Sequence, residues 1–224
     1  MFAYYHSFVN LLFIGVIALF PVVNPIGSAF IVNSYFDKLE RPERKKVVKK
    51  VAFYAFCVCT VSLFAGQWIL QMFGLSIPVI QLAGGIMICK TGWDLLTADN
   101  KPAIHEQADL ASDGSQSYNV LQDKLFYPIT FPITTGAGTI SVLFTLSANS
   151  ANDKPVNYLL NMGALILSII VMCVLIYFFY LNTETLVKYL GSKGEKIINR
   201  IVAFLTFCVG LQIAVAGITT IVKG

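Results

Sequence analysis

Two proline-containing motifs hold the residues of this sequence that are best suited to bind a small solute. The first motif is F-P-V-V-N-P-I-G at 20–27, in which Asn24 is followed by Pro25. Asn is a favoured cap at a helix N-terminus, and Pro is a favoured first helical residue. The motif predicts a half-helix that begins near residue 25 and leaves backbone N–H groups and a hydroxyl uncovered at Gly27 and Ser28.

The second motif is Y-P-I-T-F-P-I-T at 127–134, followed by T-G-A-G-T. Thr134 or Thr135 is expected to cap a second half-helix, and Gly136 and Gly138 allow a close approach to its backbone. A helix N-terminus carries about half a positive charge and free N–H donors, which suit a carboxylate. The carbonyls that precede each break suit an ammonium group or a cation.

The two motifs lie at equivalent places in an internal repeat. At an offset of 107 residues, Pro21 matches Pro128 and Pro25 matches Pro132. Matched Gly- and Pro-interrupted segments in two inverted halves are typical of secondary transporters, in which the substrate binds where the broken helices meet. The alternative is that each motif is only a kink or a packing notch, because Gly and Pro are common in membrane helices.

Membrane helices must position these motifs. The 224 residues are 56% hydrophobic and 12% charged, whereas a soluble domain carries about 25% charged residues. A bilayer core requires about 20 apolar residues per helix, and six such runs occur, at about 8–36, 47–73, 77–97, 125–148, 156–181 and 197–221. The predicted fold is an all-α polytopic membrane protein with discontinuous helices one and four. Its two inverted three-helix repeats, 1–97 and 125–224, are joined by a polar cytoplasmic loop at 98–124.

The fourth span departs from a complete repeat. An exact copy of the first span would start near residue 115, where the sequence is polar. The part that precedes Pro128 is therefore either short or re-entrant from the cytoplasmic side.

Basic residues set the orientation of the six helices. Thirteen of the sixteen Lys and Arg residues lie in the connections after spans one, three and five. The positive-inside rule places these connections in the cytoplasm and both termini outside. Arg44 is interpreted as one of these topology charges, and Glu184 as an interfacial residue. The net charge of +4 therefore does not indicate nucleic-acid binding.

Other polar and small residues inside the spans allow further expectations. Lys90 and Asp94 are four residues apart on one helix face, so they form either a coupling or gating site or a snorkelling pair. Gly84-Gly85 and Gly92 predict a close helix–helix contact. The five cysteines are expected to be unpaired and buried, and neither a metal nor a cofactor is expected.

Intramembrane catalysis is not expected from this sequence. His6 and His105 lie outside the spans, so the bilayer centre offers no histidine base. An ATP-driven pump is also not expected, because the G-x-x-x-x-G-K-[ST] phosphate loop is absent from the sequence. A channel, a non-transporting membrane scaffold and an exporter of other small metabolites remain as alternatives to an amino acid transporter.

Four ordered motifs resemble the MarC family of bacterial inner-membrane proteins. They are N-P-I-G at Asn24–Gly27, F-G-L-S-I-P-V-I-Q-L-A-G-G at Phe73–Gly85, Y-P-I-T-F-P-I-T-T-G-A-G-T-I at Tyr127–Ile140 and L-G-S-K-G at Leu190–Gly194. The resemblance implies six spans in a bacterial inner membrane, and some relatives transport small neutral amino acids such as glycine and alanine.

Two departures from the MarC pattern fall at the candidate site. The family often has G-P-G where this chain has G-A-G at 136–138, and many members have a further proline where it has S-A-F at 28–30. The predicted function is secondary transport of a small zwitterion, alone or with H⁺ or Na⁺.

The charge asymmetry makes the topology testable by cysteine labelling. Single cysteines placed at 38–50 in a cysteine-free variant should react with a membrane-impermeant maleimide only after the membrane is opened. Cysteines near either terminus should react in intact spheroplasts. Labelling of the 38–50 segment from outside would overturn the orientation.

Overall fold

A computed structural model describes residues 2–36, 39–97, 118–150 and 155–223, which are helical apart from short turns and contain no strand. The α-helices of these ranges are α1 Phe2–Val23, α2 Pro25–Phe36, α3 Arg41–Phe73, α4 Ile77–Thr97, α5 Tyr118–Lys124, α6 Ala137–Asn149, α7 Pro155–Leu181 and α8 Thr183–Lys223. The segment Leu125–Thr134, called the π segment because its hydrogen bonds join residues five apart, connects α5 to α6, and its backbone is non-helical at Tyr127 and Phe131. α8 is broken at Gly191, where φ is 59°.

Five segments of the described chain are long and apolar enough to cross a bilayer. They are Phe8–Phe36, Arg41–Gly66, Ile77–Thr97, Pro155–Leu181 and Lys196–Lys223. The pieces Leu121–Thr134 and Ala137–Ala148 would form a sixth span, with a bend of 65° between them. The predicted all-helical membrane architecture is therefore confirmed.

The polar segment predicted as a loop at 98–124 is described only at its end. Residues 98–117 lie outside the described residues. The last part, Tyr118–Lys124, is not a loop: it forms α5 and leads directly into the π segment.

The helices of the two halves of the sequence pack mainly against each other. α1 lies against α7, α3 lies against α6 and α7, and α4 lies against α8. One hydrophobic core contains residues from both halves, such as Leu19, Val51, Ile129 and Leu165. Neither half has a separate core among the described residues.

Glycines bring the backbones of α4 and α8 into direct contact, as the sequence predicts. A Cβ atom on Gly85 would lie 2.4 Å from the Ala214 nitrogen, and a Cβ atom on Gly92 would lie 2.6 Å from the Phe207 nitrogen. Residue numbers rise along α4 as they fall along α8, so the two helices run antiparallel. Small residues allow this approach because association in lipid depends on close packing.

A methyl group at Gly85 should therefore separate α4 from α8. Because the obstructing atoms belong to the Ala214 backbone, Gly85→Ala should destabilise the protein by about 1–3 kcal/mol, the usual range for overpacking. Gly163→Ala in α7 is the control, because its Cβ would have only Phe8 nearby, at 3.8 Å. Thermal unfolding of both variants in the same detergent checks this. Equal midpoints would contradict the α4–α8 contact.

Candidate functional site

The first break separates α1 from α2 at Asn24, whose φ of 45° ends the helical path. The Gly27 N–H donates to the Asn24 side-chain oxygen at 2.9 Å. The Ser28 hydroxyl donates to the Asn24 carbonyl at 2.7 Å. The predicted cap at Asn24 and the predicted half-helix starting at Pro25 are both confirmed.

A carbonyl released by this break is satisfied from another helix. Pro25 has no N–H, so the Pro21 carbonyl loses the donor that a continuous helix would provide. The buried Thr206 hydroxyl of α8 lies 2.8 Å from the Pro21 carbonyl and 2.8 Å from the Val202 carbonyl of its own helix, so its proton is shared between the two acceptors. Sequence reasoning missed Thr206. The available signal was the proline pair, since a carbonyl four residues before a proline requires an outside donor.

The second break is built around three buried threonines of the π segment and its end. Thr130 donates its hydroxyl to the Leu125 carbonyl at 2.7 Å, and Thr134 donates to the Ile129 carbonyl at 2.7 Å. Thr135 donates to the Thr130 carbonyl at 3.0 Å. Each acceptor lies five residues before its donor, so these hydroxyls donate within the second break itself.

The expectation that Thr134 or Thr135 caps the second half-helix is wrong. Gly136 occupies the cap position in an extended conformation, and α6 has no side-chain cap. The reason is local: both threonine hydroxyls already donate to carbonyls of the π segment. The first turn of α6 therefore begins without a capping oxygen.

Tyr180 of α7 connects the two motifs. Its hydroxyl, which is fully buried, lies 2.8 Å from the Thr134 hydroxyl, and its ring packs edge-on against Phe36 of α2 with the ring centres 6.5 Å apart. Because Thr134 gives its own proton to the Ile129 carbonyl, Tyr180 is the donor to Thr134. Tyr180 of α7 thus contacts a residue of each broken segment, one through its hydroxyl and one through its ring.

The start of α6 also packs against the end of α1. A Cβ atom on Gly138 would lie 3.0 Å from a Val22 methyl group and 3.1 Å from Ile88. The structure therefore brings residues of both predicted motifs into one region between α1, α2, α4, α6 and α7.

Lys90 and Asp94 do not form the snorkelling pair that one interpretation of the sequence expected. Lys90 is exposed, Asp94 is half-buried, and the two side chains make no ion pair in the described part of the chain. Their role in coupling or gating stays a prediction.

Arg44 is not the solvent-facing topology charge that the sequence analysis expected. Its side chain is only 2% exposed and forms an ion pair with Glu184. It also donates to the Asn33 side chain at 2.9 Å and lies 5.7 Å from the centre of the Phe36 ring. A guanidinium provides several donors in fixed geometry, so Arg44 can join α2, α3 and the start of α8.

These features define a polytopic helical membrane protein with two interrupted helices that meet in its interior. The chain belongs to the MarC family of integral membrane proteins, whose family model matches residues 9–222. It is similar to the inner membrane protein MarC of Escherichia coli strain K12 and to that of Shigella flexneri. Each is 25% identical over 94% of this chain and 95% of the relative. No solved structure gives a significant match.

The position of Tyr180 predicts that its hydroxyl stabilises the contact between the breaks. Tyr180→Phe should lower the free energy of unfolding by about 0.5–1.5 kcal/mol, the usual net value of one buried hydrogen bond. Tyr177→Phe is the control, since Tyr177 lies on the same helix and is only partly buried. Denaturant titration in mixed micelles measures the difference. The same loss in both variants would show that the Tyr180 hydroxyl has no particular role.

Proposed function

We propose that this protein is a secondary transporter of small neutral amino acids, or of solutes of similar size, in the bacterial inner membrane. The observation that supports it is the meeting of two helix breaks inside the bundle, with Gly138 packed against Val22 and Tyr180 bonded to Thr134. Irregular backbone at membrane depth is tolerated where it is buried in protein or lines a cavity. Discontinuous helices that meet in this way form the substrate sites of many secondary transporters.

Contacts between α4 and α8 support an inverted repeat. An offset of 118 residues converts Gly92 to Gly210 and Cys89 to Phe207. A Cβ on Gly92 would lie 2.6 Å from the Phe207 nitrogen, and a Cβ on Gly210 would lie 2.5 Å from the Cys89 nitrogen. The offset therefore converts the contact of Gly92 with residue 207 into the contact of Gly210 with residue 89. A two-fold axis between two antiparallel helices would relate the contacts in this way. Such symmetry provides the two related states of alternating access.

The proposed site is formed mainly by backbone. It comprises Asn24, Pro25, Gly27, Ser28, Pro132, Thr134, Thr135, Gly136 and Gly138. Arg44 is the only buried charged side chain in the described ranges, and its charge is paired with Glu184. A zwitterion would therefore be held by helix ends and carbonyls, since ionised side chains at membrane depth are costly.

The proposed topology places both termini outside and takes the bent pair α5–α6, with its π segment, as one broken span. The bend of 65° is less than a right angle, so the second piece continues in the same sense as the first. This gives six crossings, which agrees with the antiparallel pairing of spans three and six. Coupling to H⁺ or Na⁺ would supply the driving force.

Uptake into liposomes tests the proposal. Purified protein should give saturable uptake of radiolabelled glycine or alanine that responds to an imposed H⁺ or Na⁺ gradient. A linear, non-saturating conductance would instead identify a channel. The absence of flux for amino acids and other small solutes, with folded protein in the liposomes, would leave a scaffold and overturn the proposal.

Gly136→Leu is the most informative variant for the uptake assay. Its φ of −89° and extended ψ suit any residue, and a Cβ there would have only the Pro132 carbonyl nearby, at 3.1 Å. Gly136→Leu should therefore insert and fold, but fill the space beside α6 and reduce uptake to background. Gly163→Leu in α7 is the matched control and should transport normally. Normal uptake by Gly136→Leu would mean that the breaks are only kinks.

A further inference from the structure

The N-termini of α2 and α6 differ in the number of N–H groups they leave free. In α2, Pro25 has no N–H and the Gly27 N–H is taken by Asn24, which leaves Ile26. In α6, the first backbone hydrogen bond is from Ile140 to Gly136, at 3.3 Å. The N–H groups of residues 137–139 have no acceptor among the described residues.

Thr139, in the first turn of α6, has a buried hydroxyl without a partner. The residue is 0% exposed, and its Oγ1 makes no hydrogen bond within the described ranges. The Cα–Cβ bond of a residue in the first turn of a helix tilts toward the helix N-terminus, so the Thr139 side chain lies at the same end as the free N–H groups. A buried hydroxyl left without a partner costs about 1–3 kcal/mol. The nearby hydroxyls of Thr134 and Thr135 are both bonded.

We propose that the first turn of α6 is a subsite for the carboxylate of the substrate, with the N–H groups of Ala137, Gly138 and Thr139 and the Thr139 hydroxyl as donors. This proposal rests on the proposed transport function, and it assigns the carboxylate end of the substrate to the second break. An ionised carboxylate accepts about four hydrogen bonds, which matches the four donors. The partial positive charge of the helix N-terminus adds to the attraction.

The same comparison excludes α2 as the anion site. Asn24 already places an oxygen where an anion would bind, and Pro25 removes a further donor. The sequence pattern predicts two equivalent breaks. In the structure the N-terminus of α2 is capped by Asn24, whereas the N-terminus of α6 has no side-chain cap.

Amide NMR detects the subsite without any transport. Protein labelled with [¹⁵N]glycine is placed in nanodiscs, and the Gly138 and Gly27 resonances are assigned through Gly138→Ala and Gly27→Ala. Titration with alanine should shift Gly138 and leave Gly27 in place. Alaninamide, which lacks the carboxylate, should shift neither. An equal response to both compounds, or a shift of Gly27 alone, would overturn the proposal.

Thr139 variants test the hydroxyl. Thr139→Val keeps the volume and should weaken alanine binding about tenfold, the equivalent of one good hydrogen bond. Thr139→Ser should restore it. Thr145→Val is the matched control, because Thr145 also lies on α6 with an unpartnered hydroxyl in the described structure. Similar losses in Thr139→Val and Thr145→Val would show a packing effect and would overturn the role of Thr139.

The experiments can overturn the transport proposal and the carboxylate subsite independently of each other. Saturable uptake without a Gly138 shift would retain the transporter and remove the carboxylate subsite. A Gly138 shift with alanine or propionate, in protein that transports neither, would retain the subsite and remove transport.

Discussion

A backbone carbonyl at membrane depth must find a donor within the protein, and the arrangement of this bundle depends on that constraint. Prolines remove N–H groups from the first and fourth apolar runs and so release carbonyls. The Thr206 hydroxyl reaches the Pro21 carbonyl. In the second break, threonine hydroxyls donate to the carbonyls of Leu125, Ile129 and Thr130. Because Thr206 lies on the last helix, satisfying the first break also determines which helix lies beside it.

The two breaks correspond in sequence position but differ in chemistry. Asn24 closes the start of α2, while Gly136 leaves the start of α6 open. Tyr180 is bonded to Thr134 and its ring packs against Phe36 of α2, so movement of α2 against the second break must alter one of these two contacts. One helix N-terminus is thus capped by a side chain and the other is not, so the two motifs are not equivalent although they match in sequence.

Much of the fold could be predicted because its signals are local. Long apolar runs identify spans, an Asn-Pro pair identifies a helix start, and glycines identify the α4–α8 contact. The missed features depend on distant partners or on helix register. The burial of Arg44 requires Glu184, which is 140 residues away in sequence. The Thr134 hydroxyl donates to a carbonyl five residues back because the backbone between the two residues leaves the helical path at Phe131. The free donors at Thr139 become visible only once Thr134 and Thr135 are seen to bond elsewhere.

Interleaving of the two halves has a consequence for biosynthesis. When α4 has been translated, residues 98–206 are still to be made, which takes roughly 5–20 s at about 5–20 residues per second. During that interval the nascent chain contains neither Thr206 nor α8. The Pro21 carbonyl and the glycine face of α4 lack their final partners, so the first half cannot reach its native packing until the last helix has entered the membrane.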